Sequence, residues 1–275
     1  MTQETRVTHV QETLTLLEQV FTHHKNVVLW ASGGKDSTCL LHLARHWAPQ
    51  VQVLSVIMDN SWPGVQDCVE QHCAEWGYTQ LQILSPPISF PQYVQHYGWP
   101  SQLIPTSMDG PLLDPFYDGG PKLASWWHCS TLRVIWPLVQ ASQEVQADAV
   151  LTASRKTDAP AHGRIGPIIE AHDVGIAGWT RYDLLHPWTT AQVWAYIDQH
   201  GITLPEVYKW KRGAEFEWPD CVECGYESKH IAWLKQEKPE IYARVWPQMK
   251  PALERAAALA QEQMVQWQGL LSHEC

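Results

Sequence analysis

Two short stretches hold most of the side chains able to do chemistry. Ser32-Gly33-Gly34-Lys35-Asp36-Ser37 lies between a β-branched apolar run, Asn26 to Trp30, and an apolar-periodic segment through Leu40, Leu41, Leu43 and Ala44. A strand, a glycine turn and a helix in that order leave the first N–H groups of the helix without intrahelical partners, at the positive end of its dipole. Two glycines let the backbone approach an anion closely, Lys35 adds a point charge, and Ser32 and Ser37 add hydroxyl donors. The chemistry expected there is phosphate binding. Asp36 suits a helix N-cap or an indirect magnesium ligand. The spacing is not that of a Walker A loop. A conventionally capped turn is the plainer alternative, but it does not call for two glycines and a lysine together. The second stretch, Cys221-Val222-Glu223-Cys224, has the commonest two-ligand spacing for zinc or iron–sulfur binding, because such a turn aims both thiolates at one centre.

These residues need elements to position them. Val10, Leu14, Leu17, Val20 and Phe21 recur at helical spacing within Thr8–His24, which predicts an amphipathic helix. After the glycine loop come a strand at Val51–Met58, a helix at Val65–Trp76 and a strand at Leu81–Leu84. Residues 86–121 dissolve into proline, glycine and aromatics, the signature of an insertion or lid. Periodicity returns as a helix at Cys129–Val145, a strand at Ala149–Ala153, a strand end at Asp183–Leu185 and a helix at Thr190–His200 closed by Gly201. Alternation of this kind predicts an α/β fold, a doubly wound, mostly parallel sheet covered on both faces. The expected division is a nucleotide-binding domain over 1–205 and a small unit over 206–275, holding the cysteine loop and helices, the last from about Pro251 to Leu271.

Placement on this scaffold adds further candidates. Asp59 follows the second strand at the carboxyl edge of the sheet, where doubly wound folds bind ligands, so it is a candidate for the nucleotide as well as for a helix cap. Arg155 and Asp158 follow a later strand; Arg155 suits a phosphate, and a surface ion pair is the alternative. Arg164 and Arg181 are weaker versions of the same idea. Lys209, Lys211 and Arg212 form a small basic group, best read as a solvated face. Cys39, Cys68 and Cys73 fit the core as small apolar residues.

Composition excludes several classes. The 275 residues carry 19 Lys+Arg against 29 Asp+Glu, a formal charge of −10, which disfavours a protein that coats nucleic acid and leaves a local basic groove open. With 45% hydrophobic and 17% charged residues the chain is globular, neither disordered nor fibrous. No apolar run approaches the roughly 18 residues of a membrane span. The polar start, MTQETRVTHVQETL, lacks the basic-then-apolar order of a signal peptide, so a soluble cytoplasmic protein without a membrane partner is expected. Seven cysteines, an odd number, are expected as thiols or metal ligands.

Ser32 to Ser37 resembles the PP-loop, SGGxDS, of the adenine nucleotide alpha-hydrolase superfamily. Within it, Ala153-Ser154-Arg155-Lys156-Thr157-Asp158 resembles the G-x-R-x-x-E segment of the phosphoadenosine phosphosulfate (PAPS) reductase family. Leu185-His186-Pro187-Trp188-Thr189-Thr190, with Val193-Trp194 and Tyr196-Ile197, resembles that family's Trp-Thr stretch. His128-Cys129 through Leu138 is similar to the Cys-Cys-x-x-x-Arg-Lys-Val-x-x-Pro-Leu segment of cluster-bearing sulfonucleotide reductases and phosphorothioation sulfur-transfer proteins, with His128 in place of the first cysteine.

The resemblance implies ATP with Mg2+ at Ser32, Gly33, Gly34, Lys35, Asp36 and Ser37, with Asp59, Arg155 and Asp158 around the nucleotide and Lys35, Asp36 and Arg155 as the catalytic clamp. It also implies a [4Fe–4S] cluster on Cys129, Cys221 and Cys224 with one iron open or filled by His128; a Cys3His zinc site is the alternative. Trp126 and Trp127 would flank it. An intact loop points first to ATP-dependent sulfur transfer, with acceptor adenylation followed by replacement of oxygen with sulfur. The alternative is reduction of PAPS or adenosine phosphosulfate (APS) to sulfite with a thioredoxin-like partner. Those reductases end in Glu-Cys-Gly, whose cysteine takes the sulfite, and His273-Glu274-Cys275 keeps the Glu-Cys. A non-catalytic nucleotide- and metal-sensing module is the third reading. Expected partners are a small-molecule or nucleotide acceptor, a sulfur-donor or reductant protein, and a second copy in a homodimer.

Overall fold

A computed structural model describes residues 3–101, 123–158, 168–169, 178–211, 221–222 and 228–272. The chain divides into two units. The first comprises residues 1–57, 61–86 and 135–213, and the second 58–60, 87–134 and 214–275. This division differs from the expected split near residue 205, since most of the expected insertion groups with the C-terminal residues.

The first unit is built on a sheet of β1 (Val27–Trp30), β2 (Val51–Val56), β3 (Gln80–Leu84), β6 (Ala149–Thr152), β7 (Ile168–Ile169) and β8 (Thr180–Asp183) in the order β3-β2-β1-β6-β8-β7. All neighbours are parallel except β7 with β8. β1 lies between β2 and β6, pairing Val27 with both Val51 and Ala149. A strand with neighbours on both edges and helices on both faces must be apolar throughout, and Val27, Val28 and Leu29 are buried, as is every residue of β6. The doubly wound α/β expectation therefore holds.

Helices α1 (Gln3–His23), α2 (Lys35–Ala44), α3 (Val65–Glu75), α6 (Trp136–Glu144) and α7 (Thr190–His200) accompany these strands. The α1 residues Leu17 and Val20 enter the core, and Thr13 links the helix to the chain after β8, donating to Leu184 O (3.3 Å) and accepting from Trp188 Nε1 (3.0 Å). Thr189 caps α7 in a capping box with Gln192, and Gly201 ends it at φ +60°. The Trp-Thr stretch is thus partly architectural. Cys39, Cys68 and Cys73 are buried, as expected of core residues; burial pushes the Cys68 thiol up to about 11 and Cys73 to about 12.

In the second unit, Ser89 caps α4 (Phe90–Tyr97) in another capping box, and β4 (Trp99–Ser101) runs parallel to β5 (Leu123–Ser125). Ser125 caps α5 (Trp126–Ser130), which is followed by a π-helical turn at Thr131–Ile135. Helices α9 (Ser228–Glu237) and α10 (Pro239–Ser272) complete it, with Phe90, Trp99, Ile231, Val245, Met249 and Ala252 in its core. No described helix is long and apolar enough to cross a membrane.

One buried base in the first unit ties α2 to its neighbours. His42 Nδ1 lies 2.8 Å from Tyr196 Oη, and its ring meets those of Trp76 and His200. Burial, then Arg45, His200, His72 and His46, push His42 down to about 4. Because the unfolded chain takes up this proton first, stability is held above pH 6.5 and lost as pH falls from 6.5 toward 4. Urea unfolding at pH 5 should show about 2 kcal/mol less stability than at pH 7 from this group, and His42→Gln should remove most of that slope. An unchanged slope in the variant would contradict the assignment.

Candidate functional site

The glycine loop has the local geometry its sequence requires. Gly33 lies at φ +75°, where only glycine is unstrained, and a Cβ there would meet Val65 Cγ1 at 2.8 Å and Val69 Cγ2 at 3.1 Å. The turn is therefore packed directly against α3. Gly34 is the extended N-cap of α2 and has no side chain to offer the first-turn amides. The Lys35 amide donates instead to Tyr208 Oη at 2.9 Å, from α8 (Val207–Lys211). Ser37 Oγ donates to Gly34 O (3.0 Å) and lies 3.1 Å from Ser32 Oγ, which accepts from the Gly34 amide (3.3 Å).

Charge is concentrated around this turn. Lys35 is only 2% exposed and Arg155 5%. Lys35 Nζ stands 2.6 Å from Asp36 Oδ2, and Arg155 Nε 3.3 Å from Asp36 Oδ1. Arg155 is anchored in turn: its amide and guanidinium reach the two Asp158 oxygens (2.8 and 3.3 Å), and Nη1 donates to Thr190 Oγ1 (2.5 Å). Two buried cations therefore flank one carboxylate beside a helix N-terminus, a set able to exchange that carboxylate for an anionic ligand. The structure brings together Ser32, Gly33, Gly34, Lys35, Asp36, Ser37, Arg155 and Asp158.

Asp59 is placed elsewhere, in the second unit. It pairs with Arg133 Nη2, and its other oxygen accepts from the Phe90 amide at 2.8 Å. Asp59 is not a helix N-cap, since Gly64 holds that place for α3 and Ser89 for α4; its carboxylate instead takes the first amide of α4 from outside the helix. Arg133 has no solvent exposure and also donates to Ile88 O (3.1 Å) and Asn60 Oδ1 (3.3 Å), with its guanidinium over the Phe90 ring at 5.3 Å. A buried guanidinium is tolerable only when its donors are used, and removing it would leave Asp59 and two further acceptors short of a partner. It also serves sulfur. Burial, reinforced by Cys221, pushes the Cys129 thiol up to about 12, and the charge of Arg133 opposes that rise.

Cys129 and Cys221 thus interact, and Cys221 Sγ donates to Met58 Sδ at 3.8 Å. Cys224, Cys275, Arg164 and Arg212 lie outside the described residues. Among the described residues no three His, Cys, Asp or Glu side chains are grouped to hold a metal ion. His128 Nδ1 lies 2.7 Å from Tyr93 Oη, and Trp126 and Trp127 pack edge to face at 5.5 Å. Arg181 pairs with Asp183 (3.0 Å), and Lys209 is exposed. Tyr208, Thr190 and Arg133 join the candidates only in the structure; Thr190 had a signal in the Trp-Thr stretch and Arg133 in the segment that begins at His128, while Tyr208 had none.

Gly33→Ala tests the loop geometry. Left-handed backbone and overlap with Val65 together should cost about 2–4 kcal/mol, and the displaced turn should bind ATP at least tenfold more weakly by calorimetry. Wild-type affinity in a folded variant would contradict the geometry.

The phosphoadenosine phosphosulfate reductase domain model matches residues 26–213. A phosphoadenosine 5′-phosphosulfate reductase from Gloeobacter violaceus is 24% identical over 182 residues, 66% of this chain and 65% of the relative, so the chain spans about two thirds of that protein's length. A crystal structure of PAPS reductase from Candida auris, a phosphate complex, superposes with a TM-score of 0.51 at 19% identity, covering 80% of this chain and 98% of that one; at this identity the likeness shows the fold. With most of its length matched, loop and Arg155 segment included, the chain belongs to the PAPS reductase family.

Proposed function

We propose that the chain is an enzyme that reduces an adenylylated sulfate, PAPS or APS, to sulfite. The observation that carries this reading is the family match over residues 26–213, which contains both the anion-binding turn and Cys129. Lys35, Arg155 and the first amides of α2 bind the nucleotide's anionic groups, and the bound anion takes over the two cations that hold Asp36. A thiolate of the chain attacks the sulfate sulfur. The S–O bond to the nucleotide breaks, the nucleotide leaves with the bonding electrons on its phosphate oxygen, and an S-sulfonated cysteine forms. A dithiol protein of the thioredoxin kind supplies the two electrons: one thiolate displaces sulfite from the cysteine, and the second resolves the mixed disulfide. Cys275, in the Glu-Cys segment, is the candidate nucleophile.

The sulfur site suits a soft metal group. Cys221 disfavours charge on Cys129, so a cation beside the two sulfurs would relieve it, and the Met58 thioether adds a third soft atom. Cys129, Cys221 and Cys224 would hold a [4Fe–4S] cluster, with zinc as the alternative. Such a cluster supplies a positively charged, redox-capable centre beside the thiols. The charge of Arg133 favours the Cys129 thiolate, the form a metal requires.

One observation favours a second reading, ATP-dependent sulfur transfer to an adenylated acceptor. The turn keeps every residue of the Ser32–Ser37 pattern, and Asp36 is positioned to carry Mg2+ once an anion engages its partners. Products decide between the two. Anaerobically purified protein given PAPS, APS or ATP with a dithiol should release sulfite from a sulfonucleotide, while pyrophosphate from ATP without sulfite would select sulfur transfer. Lys35→Ala should lower turnover at least a hundredfold. Cys221→Ser should lose its metal while keeping nucleotide binding. Nucleotide binding with no product from any of the three would overturn both enzymatic readings in favour of a sensing module.

A further inference from the structure

The second half of α10 departs from the rest of the molecule. Met249 and Ala252 are 1% exposed, whereas Met264, Trp267, Leu270 and Leu271 are 56–68% exposed. Between Ala257 and Ser272 the single charged residue is Glu262. A solvated helix needs a charged surface or many ion pairs, and an unpacked helix of this length is marginal in water. Leu253, Ala257, Ala260, Met264, Trp267 and Leu271 recur at alternating steps of four and three, which places them in one seam of the kind that pairs two helices.

Side-chain sizes along the seam identify the occupant. Ala257 and Ala260 are small, while Met264 and Trp267 are large, so the seam complements itself when reversed. We propose that the seam pairs with the same helix of a second copy, antiparallel across a two-fold axis near Glu262. Trp267 of each copy then faces Ala257 of the other, and Met264 faces Ala260, so each large side chain enters a space left by a small one. Parallel pairing would set Trp267 against Trp267 and alanine against alanine, with overlap in one layer and a void in the other. Met264, Trp267 and Leu271 of the seam, with Leu270 flanking it, present on the order of 500 Å2 per helix, so pairing removes about 1,000 Å2, where specific interfaces begin. The absence of like charge along the seam matters, because each copy carries a net −10.

Sedimentation equilibrium on the full chain tests this. The wild type should be a dimer at tens of micromolar, and Trp267→Glu should raise the dissociation constant at least about a hundredfold. ATP affinity should stay unchanged, because the indole is 67% exposed, and far-UV circular dichroism should lose at most the helical signal of the unpaired end of α10. Ala257→Trp should also weaken the dimer, and the exchange Ala257→Trp with Trp267→Ala should restore it. A monomeric wild type, or a dimer indifferent to Trp267→Glu, would overturn the proposal. Failure of the exchange to restore pairing would overturn the antiparallel register.

Discussion

Parallel strand register is the constraint on which the nucleotide loop depends. β1 and β6 are hydrogen-bonded neighbours running the same way, so the turns that follow them leave the sheet at one edge. That places the glycine turn after β1 beside the Arg155 segment after β6, and the two meet through Asp36 and Arg155 at 3.3 Å. Neither turn is free to relax. Gly33 is held against Val65 and Val69, and Arg155 is held by Asp158 and Thr190. The anion cradle is preorganised by apolar packing on one side and by a buried ion network on the other, so little rearrangement is left for the moment of binding.

A different economy governs the second unit. Its core is small and aromatic, and a fully buried guanidinium runs through it. Arg133 gathers Asp59, Asn60 and Ile88, which lie 45 to 74 residues before it in sequence, by donating to each. The π-helical turn that carries it is an energetically poor backbone, kept here where a side chain must be aimed. Burial raises the Cys129 thiol as it raises Cys68 and Cys73, and what sets Cys129 apart is its surroundings, with Arg133 opposing the rise and Cys221 adding to it.

The parallel sheet, the glycine turn, the core cysteines and the helix end at Gly201 were legible in the sequence because each rests on local spacing or backbone conformation. What escaped depends on contacts distant in sequence. Asp59 stands at a strand end, so position suggests a ligand, but Arg133, distant in sequence, decides its partner. Tyr208 reaches the loop from a helix whose sequence shows only a basic cluster. The last helix was expected from about Pro251, yet it begins at Pro239 and runs through Pro247 and Pro251. Burial of Val245, Met249 and Ala252 outweighs the hydrogen bonds these prolines forfeit, a tertiary effect that no local rule contains.

In the proposed reaction, a sulfonucleotide bound at the Ser32–Ser37 turn transfers its sulfonate group to a cysteine of this chain. Intact-protein mass spectrometry after a single turnover with PAPS or APS, without added dithiol, measures that step directly. The predicted result is an adduct of about 80 Da, one sulfonate group, on one cysteine, released as sulfite when a dithiol is added and absent from Lys35→Ala. Protein that binds both sulfonucleotides and stays unmodified would contradict the account.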